Sequence, residues 1–213
     1  MTNVSHFLSF VLLIAFIYAA ITFIKLFIEK KELVYVFYSL ASAALIVTTL
    51  INLSENYLIK FNISQESISI WGSVVSISFV LCGLMVLIRN SKPEFARFPE
   101  VFVGLPILVI ISFPFISSTI ILKYWLLGIY EACALLVALM MHSVLSKRNA
   151  AHLIVLSGIG LFILAYLFYW LPWEMFNLKN LLWQAVMIIG VIVIIQGYTR
   201  IETTVREENL ESY

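Results

Sequence analysis

Seven apolar runs follow one another along this chain, each about as long as a helix needs to cross a hydrocarbon core of roughly 30 Å. They fall at about 6–28, 33–53, 68–88, 101–122, 124–145, 151–171 and 181–199. Charged or polar intervals separate them, the thinnest being Lys123 and its neighbours between the fourth and fifth runs. The pattern predicts an all-α, polytopic integral membrane protein. A seven-transmembrane-helix bundle occupies residues 1–199 and a short polar tail 200–213. Ile201 and Val205 extend a helical stripe one turn past the last run before Glu207, Glu208 and Glu211 make the end polar.

Composition strengthens that reading. Of 213 residues, 62% are hydrophobic and 12% charged, against roughly a quarter charged in an ordinary soluble domain. A water-soluble fold of this length has too little interior to hide so much apolar side chain. The bilayer is therefore the expected solvent. A net charge of +1 leaves no basic footprint for nucleic acid. The opening MTNVSH has no basic stretch ahead of the apolar run and no small-residue cleavage site, so the first run is expected to persist as a helix.

Basic residues orient the bundle. With seven crossings, Lys25, Lys30, Lys31, Arg89, Lys92, Arg97, Lys147, Arg148, Arg200 and Arg206 share one side, and only Lys60, Lys123 and Lys179 the other. Ten against three places the N-terminus outside and the C-terminus in the cytoplasm, as a multi-pass protein of the cell membrane. Trp71, Trp125, Trp170, Trp173 and Trp183 then all fall at the outer ends of their helices, where an apolar ring with one donor is favoured. Asn3, Asn52 and Asn62 head Asn-X-Ser triplets on that side. Phe61-Asn62 before Trp71 and Phe176-Asn177 before Trp183 suggest a 3+1+3 plan of parallel repeats, with the fourth segment as linker. Pro106 and Pro114 predict a kink in that fourth segment, 101–122.

Candidate chemistry is sparse. Glu131 is the one carboxylate enclosed by a run, roughly 12 Å from the outer end of its helix. A charge there costs at least about 2.5–3.5 kcal/mol, so the carboxyl is expected to be protonated and to face the bundle interior. It would act either as a proton- or cation-coupling group or as a bond between helices. Gln184 and Gln196 are expected to bond neighbouring helices. Tyr130, Tyr166 and Tyr169 lie in the outer half, with Trp170 and Trp173, as an aromatic pocket or a lipid-facing belt.

His142 and His152 end the fifth run and begin the sixth, so they meet at the cytoplasmic face. With Met140 and Met141 nearby they are weak metal candidates. No HExxH, haem-type histidine pair or phosphate loop accompanies them, so no metal or other cofactor is expected. Cys82 and Cys133 are read as small buried hydrophobes. The last run carries no lysine for a retinal Schiff base, and no GxSxG or Ser-Lys pair marks a nucleophile.

These features lead away from an enzyme. The first expectation is a sensor- or receptor-like protein that binds an apolar or amphipathic ligand from the outer side and signals through a separate cytoplasmic partner. The second is a small secondary transporter coupled through Glu131. The third is a structural subunit held among other membrane subunits. Ligand-binding or coupling residues are expected among Glu131, Tyr130, Gln184, Tyr166, Tyr169 and Trp170.

Overall fold

The computed structural model describes residues 2–57, 65–91, 97, 99–115, 120–170 and 179–211. Among them are seven α-helices and two 3₁₀ turns. The helices are α1 Thr2–Lys30, α2 Leu33–Tyr57, α3 Gln65–Ser91, α4 Ile107–Ser112, α5 Ile120–Leu145, α6 His152–Trp170 and α7 Lys179–Glu211. The 3₁₀ turns Glu100–Gly104 and Phe113–Phe115 flank α4. All but α4 contain a stretch long and apolar enough to cross a membrane. Trp173, Asn62 and both Phe-Asn marks of the suggested repeat lie outside the described residues.

The surface of α1 shows why lipid is the solvent. Phe7, Phe10, Ile14, Ile17, Ile21, Ile24 and Ile28 recur every three or four residues and are all exposed, while Phe16, Ala19, Phe23 and Leu26 are buried. Such spacing makes one continuous apolar stripe on the outside of the fold. Leaving those seven side chains in water would cost on the order of 10 kcal/mol, comparable to the whole stability of an ordinary domain. The protein is thus an all-helical, multi-span membrane protein.

Two compact units divide the chain, one of Phe16–Ala134, the other of Met1–Ala15 with Leu135–Tyr213. In the first, α1 ends where Lys31 takes a left-handed φ of 59° and its N–H donates back to Phe27 O at 2.7 Å, a helix-closing turn. Phe23 then meets Tyr35 and Tyr38 of α2. Tyr38 and Thr48 of α2 lie against Gly83 and Gly72 of α3 respectively, so α2 and α3 are antiparallel. A small core joins Ile70 and Val74 of α3 to Phe113 and to Leu127 of α5. Ile70 and Leu127 both lie near the starts of their helices, so α3 and α5 run parallel.

The expected continuous helix over 101–122 is corrected here. Residues 99–115 are broken into a 3₁₀ turn, the six-residue α4 and a second 3₁₀ turn, and residues 120–122 belong to α5. The cause lies in the prolines, which withdraw donors and crowd the preceding carbonyls. Pro106 immediately precedes α4 and Pro114 sits inside the second 3₁₀ turn. Only the residues between them keep an α ladder. This segment runs antiparallel to α3. The backbone of Ile107 lies beside the Cys82 thiol in the later half of α3, whereas Phe113 packs near its start. Cys82 is fully buried, but Cys133 is exposed, against the expectation that both are buried. Its position on α5 turns it toward the apolar surroundings, where a thiol is tolerated as a small hydrophobe.

In the second unit, α6 and α7 pack at backbone distance. A Cβ on Gly197 would stand 2.8 Å from the backbone nitrogen of Val155, and one on Gly158 would stand 3.1 Å from that of Ile194. Small residues at such crossings let membrane helices gain dispersion contacts that larger side chains prevent. The α5–α6 connection is tight. Asn149 Oδ1 accepts from the Ala151 N–H at 2.8 Å, and His152 N donates to Asn149 O at 3.1 Å, so Asn149 starts α6 as a cap. Helix α7 continues well past the expected end at 199, to Glu211.

Candidate functional site

The polar residues of greatest interest collect where the α5–α6 turn meets the later half of α7. His142 stands one turn before the end of α5 and His152 is the first residue of α6. The turn folds them together, Nδ1 to Nδ1, at 3.1 Å. From α7, Tyr198 Oη lies 3.1 Å from His142 Nε2, with the two rings edge to face. His142 is 1% exposed, Tyr198 4% and His152 8%. Three polar side chains from three helices thus form one linear hydrogen-bonded chain shut off from the surroundings. Buried polar groups of this kind hold together only when each finds a partner.

The meeting of His142 and His152 was legible in the sequence. No sequence signal marks Tyr198, although it shares a buried face with Val191, Ile195 and Ile201 at helical spacing. Among the described residues no three His, Cys, Asp or Glu side chains gather as a metal would require. Met140 is exposed, so it adds no ligand to the pair.

Glu131 is half-buried in the middle of α5. Its neighbour Tyr130 turns to α3, where its hydroxyl and that of Ser78 share a hydrogen bond of 3.0 Å. Replacing Glu131 by Gln keeps a neutral hydrogen-bonding group. Stability in detergent is expected to stay within about 1 kcal/mol of the parent, with a larger loss for Glu131→Leu.

Gln184 is buried near the start of α7, and its Nε2 donates to Ser9 Oγ of α1 at 3.1 Å. Its Oε1 is buried without a hydrogen-bond partner among the described residues. Gln196 is exposed and makes no side-chain bond between helices there, which corrects that expectation for it. Gln184→Met should change stability by less than about 1 kcal/mol, because the lost bond is weak and the orphaned acceptor goes with it. Chemical unfolding in mixed micelles measures this. Ser9 and Gln184 both lie near the first ends of their helices.

The aromatic residues of α6 do assemble. Tyr166 and Trp170 have centroids 6.2 Å apart, Tyr169 and Trp170 5.6 Å, and Tyr169 reaches Trp183 of α7 at 5.6 Å. The last two contacts are edge to face, the favoured ring geometry. Tyr169 remains 39% exposed, which leaves part of the array open to the outside of the bundle. Tyr130, expected to join these rings, belongs to the other compact unit and bonds Ser78 instead.

No family model matches this chain, and no curated protein and no solved structure is similar to it.

Proposed function

We propose that this protein crosses the membrane seven times, N-terminus outside, and is a non-enzymatic, sensor-like module. It takes an apolar or amphipathic ligand from the outer side and passes the change to a separate partner. The fourth crossing is the broken segment 99–115. Its 3₁₀ turns rise about 2 Å per residue against 1.5 Å in an α-helix, so its three pieces reach roughly 25 Å. The parallel run of α3 and α5 supports a return leg of that kind, and the contact of α1 with α7 near their first ends supports an odd number of crossings.

Charge agrees. Were residues 99–115 to remain on one face, Lys123 and Lys179 would join the inner group. Lys147, Arg148, Arg200 and Arg206 would leave it, and ten against three would fall to eight against five. The seven-crossing arrangement also puts Trp71, Trp125, Trp170 and Trp183 on the outer side.

The observation that carries the sensor reading is the pairing of two ends on one helix. Helix α7 holds Trp183 in the open aromatic array and Tyr198 in the closed polar chain. They are fifteen residues apart, about 22 Å along a rigid rod. A ligand that moves the ring array shifts α7, and the shift is felt at Tyr198. The test uses purified protein in nanodiscs and a doxyl-labelled fatty acid as probe. Saturable quenching of tryptophan emission, removed by Tyr169→Ala and Trp183→Phe together, is expected. Quenching that rises without saturation, as for lipid contact alone, would refute the reading.

A further inference from the structure

We propose that His142, His152 and Tyr198 form a proton-binding site that holds at most one excess proton when closed, and that a second proton unlatches α5, α6 and α7 at the turn end. The two Nδ1 atoms lie 3.1 Å apart. At that separation one must donate and the other accept, so a single hydrogen lies between them.

Two neutral arrangements satisfy the whole chain. In one, His142 Nδ1–H donates to His152 Nδ1 and His142 Nε2 accepts from the Tyr198 hydroxyl. In the other, His152 Nδ1–H donates to His142 Nδ1 and His142 Nε2–H donates to Tyr198 Oη. In both, one ring carries its hydrogen on Nδ1 and the other on Nε2. One added proton is also accommodated: His142 then donates from both nitrogens, to His152 and to Tyr198.

A second added proton is not accommodated. Both facing Nδ1 atoms would then carry hydrogens, and two cations would lie side by side in a dry pocket. The rings must part. The open form therefore takes two protons where the closed form takes one at most. By linkage, the state that binds more protons gains as pH falls, so acid opens the latch and higher pH closes it. Histidine is the side chain suited to such a switch near neutrality. Tyr198 is the titratable group that touches the pair from α7. Lys147 and Arg148 on the turn and Arg200 on α7 are exposed, and Glu202 is half-buried one turn beyond Tyr198. Protons come from and return to water at the turn. The site stands apart from the outer aromatic array, and either can fail without the other.

The test uses the full chain in nanodiscs with ¹⁵N-labelled histidine and His6→Gln, which leaves only the two rings of interest. At neutral pH one ring is expected as the Nδ1–H tautomer and the other as the Nε2–H tautomer. On acidification, one proton should be taken up with the pair still bonded. Uptake of the second should coincide with a fall of several degrees in the unfolding midpoint. His152→Asn keeps a hydrogen-bonding group but cannot take that proton, and should flatten the fall. If that variant does not fold, the tautomer measurement decides alone. Two rings of the same tautomer would overturn the proposal. So would independent uptake of both protons without a shift in midpoint, or stoichiometric Zn²⁺ binding that raises it.

Discussion

Replacing His142 by leucine is expected to destabilise the protein by about 2–5 kcal/mol, because it removes the middle of a three-member chain. Leucine is close in volume, so the loss is not a cavity effect. It comes from two hydrogen bonds that leucine cannot make, to Tyr198 Oη and to His152 Nδ1, each 3.1 Å long. Losing a buried hydrogen bond costs about 1–3 kcal/mol. Tyr198→Phe, which orphans only His142 Nε2, should cost about half as much. The double variant should cost less than the sum, since both changes break the same chain. Unfolding in mixed detergent micelles measures all three. A loss under about 1 kcal/mol for His142→Leu would mean that water replaces the missing nitrogen.

The second large effect concerns close packing and not polarity. Gly197→Val is expected to cost about 3 kcal/mol. Its Cβ would stand 2.8 Å from the Val155 nitrogen, and a backbone atom cannot swing aside as a side-chain tip can. Helices α6 and α7 must separate, and Tyr198, the next residue, moves with α7 away from His142. Gly160→Ala is the internal control. It lies on the exposed side of α6 with nothing within 4 Å of a new Cβ, so it should be neutral or stabilise by up to about 1 kcal/mol through helix propensity. Equal effects at the two glycines would show that α6 and α7 do not meet as described.

Much of the fold is legible in the pattern of apolar runs, because in lipid a helix needs only length and continuous apolarity to be recognisable. Six of the seven expected spans have a long apolar helix as counterpart, the last of them running on to Glu211. The fourth was marked by its prolines, but two prolines eight residues apart leave room for less than two α turns between them. Such spacing breaks a helix where a single proline would bend it. Helix-end polar residues were also readable: His142 and His152 flank one turn, so their meeting follows from connectivity. Their third member comes from α7, and nothing local reveals which face of α7 turns inward. Apolar residues surround that helix on every side, so its pattern has no preferred stripe. The same limit hides Ser9, 175 residues from Gln184, and the exposed side of Cys133.

Cysteine accessibility in intact cells tests the seven-crossing arrangement most directly. With Cys82 and Cys133 replaced by alanine, single cysteines would be placed at Pro99, Lys123 and Asn149 and challenged with a membrane-impermeant maleimide. Labelling of Lys123→Cys from outside is expected, with Pro99→Cys and Asn149→Cys labelled only after permeabilisation. Labelling of Pro99→Cys and Lys123→Cys from the same face would contradict the account, because the broken segment between them would then not cross.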